Sequence, residues 1–209
     1  MDKPTDEVRS SLDFWFDLAS TYSYVAAMRI GPLAMAADVE VRWRPFLLGP
    51  IFKAHGWDTS PFNLYPDKGR YMWRDMERLA QAHGLALIRP EPFPQNSLLA
   101  ARAALSPAVA PRQAAFCRGV FEAEFAEGRS ISEPLILAGI AAGLALDAEA
   151  MLAEAASGAV KERLKEETAE AQRLGIFGAP TFVTTDGELF WGNDRLEQAI
   201  AWRRVVSEA

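Results

Sequence analysis

Phe14-Trp15-Phe16-Asp17-Leu18-Ala19-Ser20-Thr21-Tyr22-Ser23-Tyr24 is the stretch whose residue types and spacing can do chemistry. Its first half is apolar and aromatic and reads as a buried strand. Its second half is a hydroxyl-rich turn opening into Val25-Ala26-Ala27-Met28-Arg29, which reads as a helix. A strand that stops at a serine and becomes a helix puts a small polar side chain at a helix N-terminus. Unpaired backbone N–H groups and the helix dipole favour an anion there. Ser20 is therefore expected either to cap the helix, which serine does well, or to meet a negatively charged sulfur or oxygen, and the two roles are compatible. Ser23, one helical turn on, reads as structural.

Other chemistry-bearing residues are sparse. His55 and His83 share no metal-ligand spacing with each other or with Cys117, so no metal is expected. Cys117 is the single cysteine and lies in a helical pattern, Phe116-Cys117-Arg118-Gly119-Val120-Phe121. It reads as a core thiol rather than a nucleophile. One cysteine allows no intrachain disulfide, and a cytoplasmic home is expected. The net charge of −6 comes without any basic run, which argues against nucleic acid or an anionic membrane as the main partner. Apolar stretches are broken by charges or prolines well short of a membrane span. The opening Met1-Asp2-Lys3-Pro4-Thr5-Asp6-Glu7 is too polar for a signal peptide.

The elements that must position Ser20 follow from periodicity. With 209 residues, half of them hydrophobic, the chain suits one domain with an insertion or two small ones. Residues 1–9 are expected to fray. A strand over Ser11–Phe16 is followed by a helix over Ser20–Asp38, which Pro32 is expected to kink or divide. Val39-Glu40-Val41-Arg42-Trp43-Arg44-Pro45-Phe46 alternates at period two, so it is a strand, and the β-α-β unit suits parallel neighbours. Leu48 to Leu174 shows no convincing strand. Gly49, Pro50, Gly56, Pro61, Pro66 and Gly69 mark a loop-rich approach, and helices are expected over Arg70–His83, from Asn96 or Ser97 to Leu105, and over Ala110–Glu127, Glu133–Gly143, Asp147–Ala155 and Ser157–Leu174. Ala86-Leu87-Ile88-Arg89-Pro90 reads as short and extended. Tyr71 and Trp73 suit an aromatic pocket, though the Arg70–Arg74 run is more ordinary as helix core and surface. At the end, Thr181–Thr185 and Glu188–Trp191 flank Asp186-Gly187, a strong hairpin turn. A last helix from Arg195 to about Val206 has Asn193 or Asp194 as its expected cap. This is the element order of a thioredoxin-like α/β fold, 10–48 and 175–209, split by an all-helical insert, 49–174.

Five motifs in order give the chain a resemblance over roughly residues 11 to 204. Phe16 to Tyr24 is similar to F-D-x-x-S-P-Y/F-S-Y/W. Arg44-Pro45-Phe46-Leu47-Leu48-Gly49-Pro50-Ile51-Phe52-Lys53 and Pro66-Asp67-Lys68-Gly69-Arg70-Tyr71-Met72 follow. Phe177-Gly178-Ala179-Pro180 is similar to F-G-x-P, and Trp191-Gly192-Asn193-Asp194-Arg195 to W-G-N-D-R. Together they resemble the DsbA-like branch of the thioredoxin superfamily that holds kappa-class glutathione transferases and 2-hydroxychromene-2-carboxylate isomerases. Disulfide oxidoreductases carry a C-x-x-C pair where this chain has Ser20-Thr21-Tyr22-Ser23, so intramolecular dithiol exchange is excluded.

The resemblance implies that the missing sulfur is that of glutathione, with Ser20 as the catalytic partner of its thiolate. A helix dipole contributes ~0.3–1 kcal/mol when exposed and up to about 2 when partly buried. A hydrogen bond to a charged group adds on the order of 1.5–3 kcal/mol. At roughly 1.4 kcal/mol per pH unit, the two would lower a thiol pKa by about one to three units. By the same resemblance Pro180 is expected to be cis, with the backbone of Ala179 pairing the cysteinyl part of glutathione. Asn193 and Asp194 are expected at its γ-glutamyl end unless they only cap the helix. Lys68, with Lys53 as a weaker rival, is expected at its glycine carboxylate unless it is a solvated surface lysine. Arg195 is expected as a structural partner for Asp17 or Asp194. The chain departs from the family at Trp57, where the family has an asparagine, in a Trp57–Lys68 segment two residues longer, and at Thr21, where the family has proline. Trp57 would wall the substrate site, and Asn63 would replace the lost asparagine. The activity implied is a glutathione-dependent cis–trans isomerase acting on a hydroxychromene carboxylate or benzylidenepyruvate-type substrate. A kappa-like transferase and a thioredoxin-fold protein without redox activity are the alternatives, and a homodimer is expected on the same ground.

Overall fold

The computed structural model describes residues 11–207, with side chains through Trp202. The expected fraying of residues 1–9 lies outside the described residues. Four strands form one mixed sheet in the order β2-β1-β3-β4: β1 Ser11–Phe16, β2 Glu40–Pro45, β3 Thr181–Thr184 and β4 Leu189–Trp191. β1 pairs parallel with β2, placing Phe14 opposite Trp43, and antiparallel with β3, placing Phe14 opposite Phe182. β4 closes the hairpin antiparallel to β3, with Gly187 at φ 86° in the turn. This is the expected thioredoxin-like arrangement, two halves of one sheet with the helices of residues 48–173 falling between them in the chain.

Every residue of β1 is buried, and alternation sends successive side chains to opposite faces. Leu12, Phe14 and Phe16 join the larger core with α1 (Thr21–Ala36), α6 (Gln113–Phe125) and α10 (Leu196–Ser207). Trp15 packs on the other face with Phe46, Ile51, Ala171, Ile176 and Val183. A strand buried on both faces explains the unbroken apolar run that precedes Asp17.

Two sequence expectations are corrected. α1 runs undivided through Pro32 and ends at Ala36, two residues short of Asp38, which takes φ 53°. The stretch expected to be loop contains α2 (Leu48–Ala54) and α3 (Pro61–Leu64), and α4 runs over Pro66–His83 rather than starting at Arg70. Pro50, Pro61 and Pro66 all fall in first turns, where a missing N–H has no intrahelical partner to lose, so they mark helix starts rather than loops. Ala86–Pro90, read as short and extended, joins neither a helix nor the sheet. Its Ile88 N–H donates to the Phe125 carbonyl at 2.6 Å, and its Ala86 carbonyl accepts from the Tyr24 hydroxyl at 2.8 Å. The remaining helices, α5 (Leu98–Ala104), α7 (Pro134–Gly143), α8 (Ala148–Ala156) and α9 (Gly158–Arg173), stand close to their expected spans, while Ala110–Arg112 is a 3-10 turn leading into α6. Among the described residues no helix is long and apolar enough to cross a membrane.

The core holds one anomalous group. Glu124 on α6 is fully buried, and neither carboxylate oxygen has a hydrogen-bond partner among the described residues. Burial, with the nearby Asp17 carboxylate adding to it, holds its carboxyl well above the usual range. In the unfolded chain Glu124 ionises near its ordinary value, while in the folded chain it keeps its proton. The unfolded state therefore binds fewer protons above that value, and stability falls as pH rises towards the folded pKa. Urea unfolding from pH 5 to 8 is expected to show this decline in the wild type and a shallower one in Glu124→Gln. Parallel curves would mean that Glu124 ionises without cost.

Candidate active site

Ser20 stands at the N-cap of α1 with φ −95° and ψ 120°, and its Oγ accepts from the Ser23 N–H at 3.3 Å. The same hydroxyl donates to the carbonyl of Ala179, also at 3.3 Å and 159 residues away in sequence. Ala179-Pro180 is cis, as expected, so the start of the first helix and the turn before β3 meet at Ser20. Ser20 does cap its helix, and it also opens onto a cleft.

That cleft has a volume of about 1440 Å³. Ser20, Lys68, Ala179, Asn193 and Asp194 all line it, and Pro180, next to Ala179 in the chain, is buried. Lys68 is exposed, its Nζ 4.8 Å from the ring of Tyr65. Asp194 is exposed and pairs with Arg195 at 3.2 Å. Arg195 thus has Asp194, not Asp17, as its carboxylate partner. Asn193 is buried, and its Oδ1 accepts from Arg29 Nη1 at 2.8 Å, so its amide N–H groups are what it has to offer a ligand. Neither residue caps the 3-10 turn over Asn193–Arg195, which starts at Gly192 (φ 111°) without a side-chain cap. A Cβ at Gly192 would stand 2.5 Å from the Asp194 carboxylate.

Aromatic rings wall the cleft. Phe177 and Trp191 meet edge to face at 4.8 Å, and Phe52 and Trp57 lie 5.9 Å apart. At Gly178 a Cβ would fall 2.5 Å from Trp191 Nε1, so a side chain there would have to displace the Trp191 ring. Trp57 and Tyr71 face the cleft as expected. Lys53 is not among its lining residues. Asn63 is a correction: it lies outside the cleft, donating to the Phe93 carbonyl and to Thr59 Oγ1, both at 3.2 Å. The longer Trp57–Lys68 segment folds partly into α3, which carries Asn63 to the far side.

Several residues escaped the sequence reading. Asp17 is buried at the floor of the cleft, where its carboxylate accepts from the Ala19 N–H at 3.0 Å, the Leu48 N–H at 2.8 Å and the Ser97 hydroxyl at 2.8 Å. It therefore supplies the cap that α2 lacks, since Leu47 has none to give. Burial pushes its carboxyl up, and the three donors oppose that. Ser97 being so engaged, the cap of α5 comes from Asn96, whose Oδ1 accepts the Leu98 N–H at 3.0 Å. A lone carboxylate ending an apolar strand was the available signal. Thr21 donates to Met72 Sδ at 3.2 Å, tying α1 to α4 at the position where the family has proline. Tyr22 donates to Asp75 at 3.0 Å, and burial with that carboxylate beside it raises its phenol. Burial likewise pushes the Cys117 thiol up, which suits an inert core cysteine. Among the described residues no cluster of His, Cys, Asp or Glu is grouped to hold a metal.

A thioredoxin-like sheet, a helix N-terminus facing a cis proline and no second cysteine define the class. The family model described as a DSBA-like thioredoxin domain matches residues 11–200, and the chain belongs to that family. Within it, the chain is an isomerase-like enzyme. The 2-hydroxychromene-2-carboxylate isomerase of Pseudomonas putida is 31% identical over 186 residues, covering 88% of this chain and 90% of that protein. A solved structure of 2-hydroxychromene-2-carboxylate isomerase superposes with a TM-score of 0.83 at 30% identity, covering 95% of this chain and 97% of that one. Glutathione S-transferase kappa 1 of Homo sapiens is 28% identical over 200 residues, covering 90% of this chain and 88% of that protein.

Removing the Asp17 carboxylate strands two backbone donors and one hydroxyl, each costing about 1–3 kcal/mol if left unpaired. Asp17→Ala is expected to lose about 2–4 kcal/mol in urea unfolding, with Asp17→Asn losing less. An Asp17→Ala protein as stable as the wild type would remove the tie.

Proposed function

We propose that this cleft binds glutathione and that the protein is a glutathione-dependent cis–trans isomerase of an aromatic hydroxychromene carboxylate or benzylidenepyruvate-type substrate. The observation that carries the proposal is the Ser20 hydroxyl, placed at the N-terminus of α1 and against the carbonyl before a cis proline, in one cleft with Lys68 and Asp194. The donor set fits a peptide-like thiol with an ammonium at one end and a carboxylate at the other. When bound, glutathione supplies a thiol that adds reversibly to a conjugated double bond, letting that bond rotate before the thiol departs unchanged.

The chain's own residues do the rest. The Ser20 proton, held by Ala179 only at 3.3 Å, turns to the sulfur. Ser20 Oγ keeps accepting from the Ser23 N–H, so the serine stays fixed while its proton moves. Hydroxyl and helix dipole together favour the thiolate. The Ala179 carbonyl, released by Ser20, is free to accept the cysteinyl N–H. Lys68 would hold the glycine carboxylate, Asp194 the γ-glutamyl ammonium, and the Asn193 amide the neighbouring carboxylate. Phe52, Trp57, Phe177 and Trp191 enclose the aromatic ring of the substrate.

The kappa transferase of Homo sapiens gives a second reading, in which the thioether is the product. Turnover of a hydroxybenzylidenepyruvate with substoichiometric glutathione separates the two. Catalytic glutathione with many turnovers is expected. Stoichiometric consumption would favour the transferase, and no reaction at millimolar glutathione would contradict both. Loss of a hydrogen bond to the thiolate, about 1.5–3 kcal/mol, predicts that Ser20→Ala lowers kcat/KM roughly 10- to 100-fold. Lys68→Ala and Asp194→Ala are expected to raise the KM for glutathione while changing kcat less.

A further inference from the structure

A second cavity, of about 470 Å³, lies behind the cleft between α3, one face of α4 and the segment leading to α5. Its walls are Phe62, Trp73 and Phe93, and its charged side chains are Arg70, Arg74, Glu77 and Arg89. Neither Ser20, Ala179 nor Asp194 borders it. The Trp73 and Phe93 rings meet edge to face at 4.9 Å, and the Arg89 guanidinium lies 5.2 Å from the Trp73 ring. Asn63, expected in the cleft, instead helps to form this wall by holding the Phe93 carbonyl.

The charges are not equivalent. Arg70 pairs with Asp67, and Arg74 pairs with Glu77 at 2.6 Å. Arg89 has no carboxylate partner among the described residues. The cavity thus presents one uncompensated guanidinium beside three aromatic rings. A guanidinium pairs a carboxylate through two parallel N–H bonds, and rings take a planar apolar body. One free cation matches a monoanion and is a poor match for a phosphate or other polyanion. The size lies within the range of small-molecule sites, roughly 300–1000 Å³.

We propose that this cavity is a second binding site, for a small aromatic monocarboxylate, with Arg89 as the carboxylate partner and Trp73 and Phe93 as the walls around the ring. Phe62 and Phe93 border both cavities, so an occupied second site presses on the wall of the cleft. Tyr22 transmits that contact, its ring 6.3 Å from Phe62 and its backbone two residues from Ser20. The site does not depend on glutathione binding in the cleft.

The test uses the full chain with nitrogen-15-labelled indoles and 2-naphthoate as the probe. Indole N–H signals are assigned by single Trp→Phe variants. A saturable shift of the Trp73 signal is expected, with at least a tenfold weaker response to 2-naphthamide, which keeps the rings and lacks the charge. Arg89→Ala, a change at an exposed residue, is expected to weaken 2-naphthoate binding at least tenfold. The proposal is overturned if only Trp57 or Trp191 responds, if Arg89→Ala titrates like the wild type, if the amide binds as well as the acid, or if no signal moves at millimolar probe.

Discussion

The buried carboxylate of Asp17 joins three pieces of chain at one point. It fixes the turn at Ala19, starts α2 at Leu48 and anchors the N-terminal end of α5 through Ser97. Ser20 stands at the end of that turn, and the cleft opens between the same pieces. Its position against Ala179 is thus set by a charge-assisted tie one step away. The sheet beneath contributes stiffness: β1 is buried on both faces and hydrogen-bonded on both edges, to β2 and to β3.

A buried charge carries a cost, and the structure divides it between two carboxyls. Asp17 has three donors, while Glu124, close enough for their charges to interact, has none among the described residues. At Asp17 three donors oppose the upward push of burial, whereas at Glu124 nothing opposes it and the Asp17 carboxylate adds to it, so Glu124 is the carboxyl held further up. Glu124 fills core volume as a neutral acid.

Much of the site was legible because its parts sit in compact local patterns. The apolar run ending in Asp17-Leu18-Ala19-Ser20 has a local physical reason, whereas the cis bond at Ala179-Pro180 and the places of Asn193 and Asp194 were expected from the family resemblance. α2 and α3 were hidden because prolines serve both loops and first helical turns, and because the cap of α2 comes from Asp17, 31 residues away. The side-chain oxygen of Asn193 is committed to Arg29, 164 residues distant, a pairing with no local trace. Asn63 was misplaced for a related reason. Whether Asn63 faces the cleft depends on which side of the single turn Pro61–Leu64 it occupies, and that turn is not visible as a helix in the sequence.

The central claim is that the Ser20 hydroxyl at the N-terminus of α1 stabilises a thiolate. The most direct measurement is the pH titration of thiolate ultraviolet absorbance for glutathione bound to the wild type and to Ser20→Ala. The buried Cys117 thiol is pushed up and stays out of the titration. The account predicts that bound glutathione in the wild type ionises clearly below the ordinary thiol value of about 8.5 and returns towards it in Ser20→Ala. Ionisation at the free value in the wild type, or at the same depressed value in both proteins, would contradict it.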